Sequence, residues 1–517
     1  MLDCEIMNFR LTKWESFALL LCAAIGALSI PFPFHGDQAM FMMAASKLSS
    51  EGMLYRDFWD FKQPGIYWFF TTGGRLFGFT EIGVHTLECL YMLLGSLAIL
   101  MVLRRRLSNP WIAACAAVML PVWYYGIATD WHRTQVEALV GVPLLICVAV
   151  FSNSVEGEQR ARWSGFGAGI CSAVTLIFKL ALLPLATGPI LIYLAYQRHA
   201  RRRFSRPLVI FYVLGLILPL SATVLYFVAG GAGREAFDAN FLYPGNLIRE
   251  YPPASHFMRI RGALFWFLRS FSPLVVLAAL GVILRPNRKN GLLTVQLWYW
   301  LSMGTLVIWV QWYSHWGYHF FLLFVPVLVL AAFGLDRLCT ALTQANKAPA
   351  GLIRAGVVSV ALLLSVTPVL TILRRSVVLA KKGFAVSPLG RAEYYATQST
   401  IGYGSIHKEA EFLREPASLP GQLLVIGNPL YYTVSGRVQA GVENGWAPDL
   451  MLARNRQQVV SDLREHPAAY VLIEGEFETG IVQERFKDLR DVLETRYEVY
   501  RSNPFKVWYR SRPPVIR

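Results

Sequence analysis

Apolar runs fill most of the chain and are cut at intervals by short polar stretches. Runs long enough to cross a bilayer, about 17 to 25 residues each, lie near 16–33, 82–103, 110–127, 135–151, 207–229, 262–284, 292–311, 317–336 and 353–373. Residues 164–196 form a longer run with Lys179 at its middle. That run suits a tight hairpin of two helices and brings the expected spans to about 11. Beyond residue 373 the pattern changes. LLVIG (423–427) and AAYVLIEGE (468–476) read as buried strands, 448–465 and 481–493 as helices, and YEVYRSN with FKVWYR as a terminal hairpin. The expected fold class is a polytopic α-helical membrane protein, with a membrane domain over 1–373 and a small α/β domain over 374–517.

Composition agrees with a membrane protein: of 517 residues 55% are hydrophobic, the mean hydropathy is +0.41, and 16% are charged, against about 25% in soluble domains. The net charge of +16 would fit nucleic acid were it gathered on one surface. Instead Lys and Arg fall in short clusters between apolar runs, where they meet anionic headgroups and set orientation. Membrane lipids are therefore the expected partners, and nucleic acid is not. The clusters at Arg10 and Lys13, Arg104 to Arg106, Arg160 and Arg162, Arg198 to Arg206, Arg285 to Lys289, and Arg337 to Arg354 occupy every second loop. Reading those loops as cytoplasmic puts the N-terminus inside. The loop 34–81, the turn 129–133, the loop 230–261, the turn 311–317 and the C-terminal residues then lie outside. SIPFPFHGD after the first run offers no small-residue cleavage site, so that run is expected to be retained. None of the seven cysteines lies in the first long loop or the C-terminal segment, so no disulfide framework is implied. VIGNP lacks the G-x-G-x-x-G spacing of a nucleotide site.

Candidate chemistry collects on the outer side. Asp37 follows the first span, Gln38 to Ser50 is spaced as an amphipathic helix lying along the interface, and Arg56, Asp57, Asp60 and Lys62 precede an aromatic stretch from Ile66 to Phe79 suited to the headgroup level. Lys62 could be held by Asp57 or Asp60 as an ordinary surface pair. A second acidic site is Thr129-Asp130-Trp131-His132-Arg133 with Glu137 one turn on. Asp130 fits either acceptor orientation or a helix cap, Arg133 fits a phosphate contact, and Glu137 fits a functional acid within the membrane. His315 and His319 have the spacing of two metal ligands. They lack the Glu of a zincin motif and sit among aromatics, so no metal or other cofactor is expected.

The first span with its acidic G-D-Q, the following G-x-L-Y-x-D, K-Q-P-G-x-Y-W and an aromatic L-F-G resemble the GT-C glycosyltransferases. The nearest likeness is the bacterial branch of protein O-mannosyltransferases and lipid A aminoarabinose transferases. FKLALLP and the SHWGYHFFLLFVP run resemble the same family. The resemblance implies transfer of a sugar from a polyprenyl-phosphate donor to an acceptor hydroxyl (lipid, glycan or protein) on the outer face of a bacterial inner membrane, with inversion. It implies Asp37 as general base and Lys62 as the ligand of the leaving phosphate. Many members carry D-E where this chain has Asp37-Gln38.

The chemistry is self-consistent. An acceptor hydroxyl is a poor nucleophile, so a carboxylate must take its proton as the new bond forms. The departing phosphate is already a weak base and needs cations rather than an acid. Lys62, with Arg249, Arg259 or Arg261, could supply them. A transporter or flippase of a lipid-linked glycan is the rival reading, and would place ionisable groups along a path between both faces. A glycan polymerase or ligase would share the outer site.

Overall fold

The computed structural model describes residues 11–512 except 153–156, 251–255, 284–289, 312–315, 346–355, 357–358, 360–362, 364, 401, 447 and 476–485. Helices form most of it. They are α1 (Lys13–Ser29), α2 (Gly36–Ser49), α3 (Pro64–Phe77), α4 (Glu81–Leu103), α5 (Pro110–Ile127), α6 (Val136–Leu139), α7 (Gly141–Phe151), α8 (Glu158–Phe178) and α9 (Leu183–His199). There follow α10 (Arg206–Ala229), α11 (Tyr243–Glu250), α12 (His256–Ile283), α13 (Gly291–Val310), α14 (Phe324–Ala345) and α15 (Val366–Lys381). Among the described residues, 8 helices are long and apolar enough to cross a membrane. α1 is one residue short of that length at 17, α6 and α7 share one interrupted span, and the start of the expected span 353–373 lies largely outside the described residues.

The hairpin expected within 164–196 turns at Lys179, whose extended backbone (φ −163°, ψ 108°) separates α8 from the 3-10 turn Leu180–Leu182. Small residues set the helix spacing, because in lipid close backbone approach takes the place of a hydrophobic drive. A Cβ on Gly169 of α8 would lie 2.1 Å from the Tyr212 carbonyl oxygen of α10, and one on Gly334 of α14 would lie 1.8 Å from that of Leu277 in α12. The apolar window of 317–344 is 94% buried, so α14 is the axis of the bundle, whereas that of α10 is 17% buried and faces lipid.

The loops sort to two ends. At one, Asp336 accepts the backbone N–H groups of Ser108 (3.0 Å) and Asn109 (2.8 Å), and Asn290 donates to the Arg106 carbonyl (3.1 Å). At the other, Gln38 reaches Asp130, Arg56 reaches Gly230, and Tyr243 reaches Leu450. The C-terminal residues join this second end. Strands β1 (Leu423–Ile426), β2 (Tyr470–Glu474), β3 (Tyr497–Asn503) and β4 (Lys506–Ser511) form a sheet of order β1-β2-β4-β3, with β1 and β2 parallel and the rest antiparallel. The parallel step needs a crossover, supplied by α17 (Ala453–Glu465), which follows the short helix α16 (Leu430–Ser435). One sheet face, with Leu424, Ile426 and Val471, packs on α17 and on α18 (Lys487–Arg496). The other, with Leu423, Val425 and Leu472, joins the core that continues into the bundle.

Two expectations are corrected. α2 does not lie along the interface with one face in lipid, because residues 36–42, 44 and 45 are all buried, packed on α3 and on α16 from the C-terminal residues. Half of the Ile66 to Phe79 aromatics likewise turn inward: Tyr67, Phe69 and Phe70 are buried, and Phe41 of α2 meets Tyr67 and Phe70 edge to face.

Candidate active site

Pro64 at the first position of α3 ends the loop that carries Lys62, and His35 precedes α2, whose second residue is Asp37. The two turns meet. Lys62 Nζ stands 3.3 Å from Asp37 Oδ1, with the side chains 26% and 12% exposed, so the pair is held by protein yet reachable from outside. Trp446 Nε1 donates to the same oxygen at 2.6 Å, and Gln135 Nε2 donates to Oδ2 at 3.3 Å. Lys62 also lies 4.7 Å over the Phe41 ring, and its carbonyl accepts from the Tyr55 hydroxyl. Burial works to raise the Asp37 carboxyl; Lys62, the Trp446 N–H and His35 together outweigh it and hold the group below the usual carboxylate range. Burial takes His35 down to about 4, against the pull of Asp130 and Asp37.

The alternative partners of Lys62 are otherwise engaged. Asp57 takes Arg56 (2.7 and 3.0 Å) and the Met53 N–H (2.7 Å). Asp60 is capped by Tyr67 and the Phe61 N–H, and burial raises its carboxyl against the pull of Lys62 and Tyr67.

The surroundings of Gln38 suit an amide rather than the acid that the family resemblance implies. Its amide nitrogen donates to the Asp130 (2.7 Å) and Arg133 (2.6 Å) carbonyls, and its oxygen accepts the His35 N–H (3.0 Å). A carboxylate there would face two carbonyl oxygens with nothing to donate.

The second acidic site is placed differently from expectation. Asp130 is fully buried and accepts the Thr400 N–H (2.8 Å), the Thr400 hydroxyl (2.7 Å) and the Trp131 N–H (3.2 Å). It therefore fastens the C-terminal residues, and the helix that follows begins instead after Gln135. Arg133 is buried too: Nη1 donates to the Ser29 carbonyl (2.6 Å), and the guanidinium lies 3.8 Å from the Phe32 ring and 4.9 Å from that of Tyr125. It presents no open face to a phosphate. Glu137 is paired inside the bundle with Lys179 (2.5 Å) and lies 3.7 Å from His319 Nε2.

The arginines expected beside Lys62 are not among the described groups that touch Asp37 or Lys62. Arg249 is exposed and lines a cleft with Asn246, Leu452 and Arg454, Arg261 is exposed on α12, and the Arg259 side chain lies outside the described residues. His315 also lies outside them, His319 sits in the 3-10 turn Gly317–Leu323, and among the described residues no three His, Cys, Asp or Glu side chains gather for a metal.

Four neighbours of the pair, Trp446, Gln38, Gln135 and His35, are not evident from the sequence as parts of the site. Trp446 lies 409 residues from Asp37 and Gln135 lies 98. Only Gln38 carries a signal, its amide standing where the family resemblance implies an acid.

Known proteins resemble this chain in part of its sequence and in its fold. A profile of the family described as dolichyl-phosphate-mannose-protein mannosyltransferase matches residues 62–227, which begin at Lys62 and run through most of α10. Two solved structures of ArnT from Cupriavidus metallidurans share the fold along nearly the whole chain. The form bound to undecaprenyl phosphate has 15% identity and a TM-score of 0.56, and the apo form 16% and 0.54; each alignment covers 96% of this chain and 97% of the other. Among curated proteins none matches.

Proposed function

We propose that this chain, a membrane glycosyltransferase of the GT-C type related to the protein O-mannosyltransferases and ArnT, transfers a sugar from a polyprenyl-phosphate carrier to an acceptor hydroxyl. The reaction is placed at the end of the bundle where Asp37 and Lys62 meet, on the face opposite the basic loops. The observation that carries the reading is the partly open Lys62–Asp37 pair, 3.3 Å apart. It joins a base and an anion-binding cation from the two segments that border a lipid-embedded helix bundle. The undecaprenyl phosphate held by the similarly folded ArnT supports a polyprenyl phosphate as the donor's lipid.

The two groups divide the work. A donor phosphate reaching Lys62 competes with Asp37 for the ammonium. Losing part of its partner, the Asp37 carboxylate becomes more basic and better suited to accept a proton. The acceptor oxygen then attacks the anomeric carbon from the side away from the phosphate. The new C–O bond forms as the bond to the phosphate oxygen breaks, the proton passes to Asp37, and Lys62 holds the charge left on the polyprenyl phosphate. The configuration inverts.

Purified protein in detergent, given a panel of polyprenyl-phosphate sugars and candidate lipid, glycan and protein acceptors, is expected to release free polyprenyl phosphate together with a glycosylated acceptor, both read by mass. Vesicles in which a glycolipid changes leaflet uncleaved would instead assign the protein to transport.

A further inference from the structure

Residues 438–446 make an unusual route from the C-terminal sheet to the site. They leave beside β1, where the Leu423 N–H meets the Val438 carbonyl (2.9 Å), the Ala440 N–H meets that of Leu423 (2.8 Å), and the Gly427 N–H meets that of Gly445 (3.1 Å). On their other side they are stitched to the loop that carries Lys62: the Trp59 N–H donates to Val442 (3.0 Å), and Asn444 Nδ2 donates to the Trp59 carbonyl (2.9 Å). Gly445 makes the first contact possible, since a Cβ there would stand 1.7 Å from the Val425 carbonyl oxygen. The segment ends at Trp446, whose backbone N–H is fixed by Asn444 Oδ1 (3.2 Å) and whose indole N–H rests on Asp37 Oδ1 at 2.6 Å. The ring fits because residue 36 is glycine: a Cβ at 36 would lie 2.4 Å from Trp446 Cζ2.

We propose that Trp446 is the positioning residue of the base, an indole donor brought by the C-terminal residues to fix the Asp37 carboxylate and aim its second oxygen at the acceptor. The inference rests on the transferase reading above. With Oδ1 shared by Trp446 and Lys62, only Oδ2, held at 3.3 Å by Gln135, can turn to a new donor. The loss of Lys62 to a phosphate then leaves the indole as the group that keeps the carboxylate in place. A donor to the charged form also favours that form. The charged and titratable groups around Asp37 are Lys62 and Asp60 from the loop before α3, Tyr67 on α3 and His35 before α2, with Glu443 of the same segment beside Asp60.

The test compares Trp446→Phe and Gly36→Ala with the full wild-type chain. Trp446→Phe keeps a ring but no donor. It is expected to bind polyprenyl phosphate as wild type does and to lose roughly tenfold to a hundredfold in kcat, the scale of one hydrogen bond to a charged group. The acidic limb of its kcat/KM profile should move to higher pH. Gly36→Ala, which must displace the ring, should shift the same limb in the same direction, and the double variant should be no worse than Trp446→Phe alone. A Trp446 that only docks the segment would change thermal stability and leave the limb and kcat where they are, and that result would overturn the proposal. Should Trp446→Phe fail to fold, the limb and kcat of Gly36→Ala decide the matter in the same way. A wild-type chain that cleaves no donor would sink the transferase reading itself, whereas an active wild type with an equally active Trp446→Phe sinks this inference alone.

Discussion

The lysine–carboxylate pairs Lys62–Asp37 and Lys179–Glu137 of this bundle differ in what surrounds them. Lys62–Asp37 is 3.3 Å long, partly open, and shares its carboxylate with donors from two other segments. Lys179–Glu137 is 2.5 Å long, with side chains 18% and 4% exposed, and sits at the helix break between α8 and α9 with His319 nearby. The same two chemical groups serve two ends. The outer pair is open enough for an anion to approach, and on the function proposed above its lysine changes partners there. Deep in the bundle the pair closes a break in a membrane span, and neither member can leave without stranding the other charge. An ionisable residue between helices is therefore no guide to function until its accessibility is known.

The largest expected effect falls on the closed pair. Glu137→Gln leaves the Lys179 ammonium without a counter-charge and should destabilise by about 3–5 kcal/mol, read as a fall in thermal unfolding temperature and yield, while turnover per folded molecule stays near wild type. If Glu137→Gln folds normally and loses turnover, the comparison is reversed and Glu137 belongs to the reaction. Next comes Asp37→Asn, which should fold and lose roughly 10²-fold or more in turnover, the scale of general-base catalysis. Its donor affinity should equal or exceed that of wild type, because Lys62 no longer has a competing anion. Lys62→Ala should weaken donor binding by roughly tenfold or more, measured by titration with polyprenyl phosphate, with less effect on stability than Glu137→Gln. Wild-type affinity in that variant would make Lys62 structural like Lys179.

The smallest effect concerns pH. Burial raises the Glu443 carboxyl to about 8 against the help of Asn455, which donates to it at 2.6 Å. The folded protein keeps a proton there that the unfolded chain gives up near the ordinary value of 4.5. Stability from this group is thus present at low pH and is lost as pH rises through that window toward 8. Glu443→Gln should remove the slope, raising the unfolding temperature by roughly 2–4 °C at pH 8 and hardly at all at pH 5. An equal gain at both values would mean that Glu443 does not hold its proton.

Elements whose cause is local are readable in the sequence. The break at Lys179 follows from a span too long to be single, and β1, β2 and the β3–β4 hairpin follow from short β-branched and aromatic runs. That Asp37 and Lys62 belong together is readable because both lie in one short motif-bearing stretch. The lining of their site is not, because it is made by distant residues whose own neighbourhoods carry no signal: Trp446 looks like any loop tryptophan. α2 misleads for a related reason. Ala39, Met42, Met43 and Leu48 do mark an apolar face, but the chain that covers the rest of the helix comes from residues 430–446, and no periodicity within α2 reveals it. Asp130 and Arg133 look alike from the sequence as polar residues of an exposed turn, and are instead the buried fastening for Thr400 and for the end of α1.

That the indole on Asp37 comes from 409 residues downstream bears on the protein's birth. At a synthesis rate of about 5–20 residues per second, the chain between those two residues takes roughly 20–80 s to make. For that time the first spans, with Asp37 and Lys62 already emerged, stand in the membrane without their last contact. A nascent chain can therefore collect lipid around its early helices well before the indole reaches Asp37, and a ribosome stalled short of residue 446 leaves behind an inserted product that lacks this contact.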